Sequence, residues 1–276
     1  MQEIITTHQF PSTTSSHNVI SINPTGEIGG QQVWRVGFKS TYIKEQLSEQ
    51  YVTTSENEVR SFIKWFLSVS QGKGLAGSLF EPLVHQNITE GTGKWLFCKM
   101  LGSEVSESIK FVYDPSAEET CGFPNFQQKQ VKFHKKCGFP KWLANDQYYV
   151  PSESSFTLID SFLVDLDFAT RSAHLWVLQM TTSGKHGGSE KGCVEICKII
   201  GSISELLEKH NSDQPPLGKK LKGPGGKPLI QVHYVLVYPD SQVQQDLEWQ
   251  LPKGWNESTR LADHQGDGYL LKFQGV

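Results

Sequence analysis

Asp160 lies inside an apolar run, 156–164 (FTLIDSFLV), where a carboxylate is costly unless something binds it. The next apolar run, 174–182 (HLWVLQMTT), closes on Gln179-Met180-Thr181. Side chains alternate along a strand, so Gln179 and Thr181 share a face. An acid on one strand facing a polar-x-polar pair on the next can hold a hard cation beside an anion. Magnesium takes oxygen ligands in near-octahedral geometry, and Gln179 offers only a neutral carbonyl. Thr181 cannot supply the positive charge that stabilises a crowded phosphate. Lys185 and His186, in the loop that follows, can fill that role, and His186 can also act as general acid or base. The same residues have a structural reading. Asp160 can be satisfied by imidazole or backbone donors, Gln179 and Thr181 can bond across a sheet, and His186 can be a loop residue beside Gly187 and Gly188.

The elements that must position these residues follow from periodicity. Val59, Phe62, Ile63, Phe66 and Leu67 make a helical stripe over 56–70, and Gly72, Gly74 and Gly77 interrupt it before a second helix over 78–88. Short apolar runs at 31–38 and after Gly93 (WLFCKML) read as strands. Residues 102–150 read as an insertion with short strands of its own. Tyr148 to Pro151 leads into the strand carrying Asp160. Ser189 offers a cap for a helix over 190–210, whose apolar positions are Val194, Ile196, Cys197, Ile199, Ile200, Ile203, Leu206 and Leu207. A strand over 229–238 and a last one over 269–273 complete an α/β order with a mixed sheet flanked by helices. The expected organisation is a loose lead-in over 1–30 and a single domain over 31–276.

Composition sets the limits. With 276 residues, 37% hydrophobic and 20% charged, the chain has material for a sizeable core, and its formal charge of -3 gives no field that would gather nucleic acid globally. Nucleic-acid binding must therefore rest on local patches, at Lys132, Lys135 and Lys136 and at Lys219, Lys220 and Lys222; solvated loops are the alternative reading. No apolar run approaches a membrane span, and the first residues lack the basic and apolar regions of a secretory signal. Five cysteines argue against a disulfide framework, and neither the Cys-Gly-Phe-Pro tetrads at 121–124 and 137–140 nor Cys193 and Cys197 have zinc-knuckle spacing. Gly91-Thr92-Gly93-Lys94 fails as a phosphate loop because Trp95 stands where Ser or Thr must hold magnesium. No Gly-x-Ser-x-Gly elbow and no His-Glu-x-x-His helix occurs.

The element order, with Asp160 on the middle strand of three, resembles the restriction-endonuclease-like (PD-(D/E)xK) fold. The wording Tyr149-Val150-Pro151, Leu158-Ile159-Asp160-Ser161-Phe162, Leu178-Gln179-Met180-Thr181 and His186 is similar to the C-terminal module of Crinkler effectors and retrotransposon hot spot (RHS) proteins, over about residues 55 to 255. The resemblance implies a core with an insertion between its first and second strands. It implies a divergent nuclease cutting DNA or RNA with Mg²⁺ or Mn²⁺, held by Glu81 and Asp160. Asp160, Gln179, Thr181, Lys185 and His186 are then the catalytic set. It implies further an upstream P-loop NTPase domain absent from these residues, and delivery to a host nucleus. The alternative is a catalytically inactive nuclease-fold module that binds nucleic acid or a host protein.

Overall fold

The computed structural model describes residues 20–28, 31–38, 40, 56–68, 73–91, 95–105, 108–114, 129–133, 143–145, 147–152, 158–183, 185–187, 190–210, 227–243, 247–251, 264–274 and 276. The chain divides into two compact units, Met1–His85 with Val276, and Gln86–Gly275. The two tetrads, Ser189, and Lys135, Lys136, Lys219, Lys220 and Lys222 lie outside the described residues.

In the N-terminal unit, β1 (Ile20–Ile28) pairs antiparallel with β2 (Gln31–Phe38), with a register shift between Pro24 and Gly26. β1 falls within the stretch read as a loose lead-in. Helix α1 (Glu56–Ser68) buries Val59, Ile63, Phe66 and Leu67, the spacing expected of one apolar face. Its first turn is acidic, which suits the positive end of the helix dipole, and Arg60 Nε bonds Glu56 Oε1 at 2.9 Å one turn back. Helix α2 (Lys73–Glu90) starts earlier than the glycines suggest. Leu75, Ala76, Leu79, Phe80, Leu83 and Val84 are all buried, and that burial outweighs about 1 kcal/mol of propensity lost at each glycine. The unit boundary falls inside α2, between His85 and Gln86.

The C-terminal unit holds two sheets. The larger has seven strands in the order β3-β13-β11-β9-β8-β7-β6: β3 (Trp95–Lys99), β6 (Lys129–Phe133), β7 (Gln147–Pro151), β8 (Ser161–Asp167), β9 (Ser172–Met180), β11 (Leu229–Pro239) and β13 (Gln265–Phe273). β7, β8 and β9 form an antiparallel meander. Helix α3 (Glu190–His210) then crosses over, and β11 returns parallel to β9, with β13 parallel to β11. The crossover is forced, since two parallel neighbours cannot be joined by a tight turn. The smaller sheet has the order β10-β12-β5-β4, from β4 (Leu101–Val105), β5 (Ser108–Val112), β10 (Lys185–Gly187) and β12 (Glu248–Gln250).

One core joins these layers. Ile196, Ile199, Ile200, Ile203 and Leu207 of α3 meet Ala173, Leu175 and Val177 of β9 and Ile230, Val232, Tyr234 and Leu236 of β11. Each such side chain contributes about 1.5–3 kcal/mol of transfer free energy as an upper limit. Val194, counted with this stripe from its type, is 54% exposed, because it falls off the arc that 3.6-residue periodicity turns toward the sheet. Phe111 of β5 and Trp249 of β12 enter the same core, with ring centroids 6.4 Å and 6.0 Å from Tyr234. Gly268 makes that approach possible: a Cβ there would lie 2.4 Å from the Phe111 ring. Among the described residues no helix is long and apolar enough to cross a membrane.

Candidate functional site

Asp160 stands one residue before β8 rather than in the middle of a strand, because the described chain bends over Leu158–Asp160 before the ladder begins. Leu158 is buried with φ 84, a backbone region costing about 1–3 kcal/mol for a side chain that is not glycine. The Asp160 amide still donates to Leu178 O at 3.0 Å, and β8 and β9 pair Ser161 with Leu178, so the register sets Asp160 opposite Gln179. β9 ends at Met180, and Gln179 is its last residue on the face that packs against α3.

The two side chains meet. Gln179 Nε2 donates to Asp160 Oδ2 at 2.6 Å, and the Met180 amide donates to the same oxygen at 2.6 Å. Charge-assisted bonds of this length are the stronger kind. The structural reading of Asp160 as an acid held by local donors is thus realised, with the carboxamide and a backbone amide as the donors. Turning Nε2 toward Asp160 turns Oε1 away. That oxygen is buried and has no hydrogen-bond partner among the described residues, which costs about 1–3 kcal/mol. Thr181 continues the strand through its amide, which donates to Val237 O at 3.1 Å. Its Oγ1 accepts from the Ser183 amide at 3.0 Å, so the hydroxyl hydrogen remains a donor.

The other expected site residues belong to other elements. Lys185 and His186, read as loop residues, belong to β10, whose backbone runs parallel to β12 with Lys185 opposite Glu248 and His186 opposite Trp249. The pairing satisfies backbone groups that a loop would leave to water. Glu81 belongs to the N-terminal unit, half-exposed on α2, with Oε1 3.8 Å from His85 Nε2 one turn on. Lys132 is exposed on β6, the edge strand of the large sheet, where a lysine also discourages edge-to-edge pairing.

The resemblance implies a divalent ion, and the donors can be tested against one. Among the described residues no three His, Cys, Asp or Glu side chains gather as a metal group. Magnesium does not need such a cage, since it is commonly held by one or two protein oxygens with water and substrate phosphate. The Asp160 carboxylate is one such oxygen, and Gln179 Oε1, which now faces away from it, could be a second only with the carboxamide turned over.

A second polar cluster lies on the opposite face, toward the amino ends of the parallel strands. His233 Nε2 lies 2.9 Å from His174 Nδ1, and the Asp267 amide donates to His233 Nδ1 at 3.2 Å. The His233 proton is therefore on Nε2 and is given to His174. Trp176 stacks on His233 at 4.4 Å, and Lys99 pairs with Asp267 at 3.0 Å. Burial, with help from His174, pushes His233 down to about 4. This cluster has no counterpart in the sequence expectations, although His233 interrupts the apolar run of β11 as Asp160 interrupts its own.

No protein-family model, curated protein or solved structure matches the chain.

Proposed function

We propose that β7-β8-β9-α3-β11 is a restriction-endonuclease-like core and that the chain is a divergent metal-dependent nuclease, hydrolysing phosphodiester bonds in DNA or RNA. One observation carries the reading. Asp160 and Gln179 face each other at the carboxyl end of β9, and a buried Gln179 oxygen has no donor. Ligands of open α/β sheets bind at this end. An antiparallel meander, a crossover helix and a parallel fourth strand support the reading, with β7 as the first core strand in place of the run after Gly93, which is β3 and pairs with β13.

Mg²⁺ or Mn²⁺ would be held by the Asp160 carboxylate and Gln179 Oε1, and would supply Lewis acidity at a phosphate oxygen. The chain's own part is positioning. The Met180 amide fixes the Asp160 carboxylate against β9, and the carboxamide of Gln179 turns about its last torsion to present its oxygen in place of its nitrogen. Thr181 offers a hydroxyl donor two residues on, along the same face.

A second reading has its own support. Asp160 Oδ2 already accepts two short bonds, as in an acid retired to a structural role, and the module would then bind nucleic acid or a host protein without cutting. Incubation of plasmid, single-stranded DNA and RNA with Mg²⁺, Mn²⁺ or EDTA separates the two, with Asp160→Ala beside the wild type. Metal-dependent cutting that falls by about 10³-fold or more in the variant is expected, as for loss of a group acting at the transition state. A folded wild type that does not cut, or cutting that survives Asp160→Ala, leaves the binding reading.

A further inference from the structure

β11 and β13 run parallel, but their register slips beside His233. Val232 stands opposite Gln265 and Tyr234 opposite Gly268, so Gly266 and Asp267 together face one residue of β11. A bulge of this kind takes a backbone group out of the ladder. Here the His233 ring replaces the ladder, its Nδ1 accepting from the Asp267 amide at 3.2 Å. The backbone comes in close: a Cβ at Gly266 would lie 2.9 Å from that nitrogen and 2.6 Å from Val232 O. On its other side His233 gives its Nε2 proton to His174 Nδ1 at 2.9 Å, so His174 carries its own proton on Nε2. One line of bonds thus ties β13 through β11 to β9, and it runs through two neutral imidazoles.

The line has no place for a third ring proton. A proton on His174 Nδ1 displaces the His233 hydrogen, and one on His233 Nδ1 displaces the Asp267 amide. The surrounding charges favour the second outcome. The Asp267 carboxylate draws a proton toward His233, while His174 and Lys99 resist it. Lys99 Nζ meets that carboxylate at 3.0 Å and the Tyr269 hydroxyl donates to it at 3.2 Å. A charged His233 keeps its bond to His174 and turns Nδ1–H from the Asp267 amide toward the Asp267 carboxylate, the stronger acceptor. That exchange requires the backbone at Gly266 and Asp267 to move. Asp165 stands exposed on β8 opposite His174, away from the bulge. His264 Nδ1 donates to Ile230 O at 3.0 Å, a bond that a charged ring keeps.

We propose that His233, with His174, is an acid-operated latch: uptake of one proton by the pair releases the start of β13, Gln265 to Asp267, from β11. The inference stands apart from the nuclease reading. Amide hydrogen exchange is followed by NMR on the ¹⁵N-labelled chain from pH 7 to 4, for wild type and His233→Asn. The asparagine oxygen can still accept from the Asp267 amide, but the side chain does not titrate. With the closed latch titrating at about 4 and the open one at the ordinary 6.5, the opening constant read at the Asp267 amide should rise about 80-fold from pH 6.5 to 4. In His233→Asn it should change by less than about 3-fold. Low urea should leave the wild-type rise unaltered, because a local opening exposes little surface. No rise, a rise that persists in His233→Asn, or one that grows with urea as global unfolding does overturns the latch. Should the variant not fold, the ring-nitrogen signals of wild-type His233 decide. Nδ1 gaining a proton at the pH where the Asp267 amide signal moves supports the latch. An Nδ1 that stays bare while His174 takes the proton overturns it.

Discussion

Toward the amino ends of β9 and β11, His174 and His233 share one hydrogen bond, His233 takes a second from the Asp267 amide, and Trp176 covers its ring. At the carboxyl end of β9, Asp160 and Gln179 share a bond as short, yet a buried oxygen of Gln179 is left over. Both clusters put polar groups into apolar strands, and both tie neighbouring strands together. The difference lies in what is left over: beside a carboxylate, a buried acceptor carries a desolvation cost that a cation can remove. A polar residue in an apolar strand is therefore not in itself a mark of function.

Four variants or conditions break or sharpen that contrast. His233→Ala should have the largest effect on stability, about 2–4 kcal/mol by urea unfolding, from a lost buried ring and an unpaired Asp267 amide. Nucleic-acid cleavage at a temperature where both forms are folded should change by less than about 2-fold. A larger loss of activity would make the amino-end cluster part of the working site.

Acid should act through the same residue. The folded His233 titrates at about 4 against an ordinary 6.5, so between those values the unfolded chain binds the proton and the folded chain does not. Its contribution to stability is complete above pH 6.5 and is lost as pH falls toward 4. Urea midpoints at pH 7, 6, 5 and 4 should decline more steeply in wild type than in His233→Leu, and parallel declines would remove His233 as the cause.

Gln179→Glu sets a second carboxylate opposite Asp160. Like charges directly opposite are destabilising, so the variant should lose about 1 kcal/mol in EDTA, roughly 2–4 °C for a chain of this size. Mg²⁺ should restore more of that loss than it adds to wild type. An equal Mg²⁺ response in both would mean that no cation visits the pair. The smallest effect belongs to Lys132→Ala: one exposed lysine on an edge strand should cost about 2–3-fold in oligonucleotide affinity, uniformly across sequences. A loss of about 10-fold or more would move the binding surface to β6.

Much of the frame was legible. The stripe over 190–210 located α3, and the runs ending in Gln179 and at 238 located β9 and β11, because burial of one face or both leaves a periodic trace. Asp160 and Gln179 stood out for the same reason that His233 and Lys272 should have. QVHYVLVYP sets one imidazole and YLLKF one ammonium in an apolar strand, the kind of signal that singled out Asp160. Strand partners were not legible. That Asp160 faces Gln179, and that Lys272 sits beside Tyr238, depends on pairing between segments 19 and 34 residues apart, which local pattern does not encode. β10 was hidden because three residues, Lys185-His186-Gly187, carry no periodicity, and the start of α2 before residue 78 because its glycines read as a break.

The most direct measurement is the amide NMR spectrum of the ¹⁵N-labelled protein during addition of substoichiometric Mn²⁺, whose paramagnetism erases signals near wherever it binds. His233 and Gln179 lie on neighbouring strands, on opposite faces and three residues apart in register, so the order in which the amides fade tells the two clusters apart. The expected result is early loss of the Asp160, Gln179 and Met180 amides while those of His233 and Asp267 persist, with the pattern abolished by Asp160→Ala. Loss that begins at the histidine pair, or no localised loss at all, would contradict the assignment of the open cluster as the functional one.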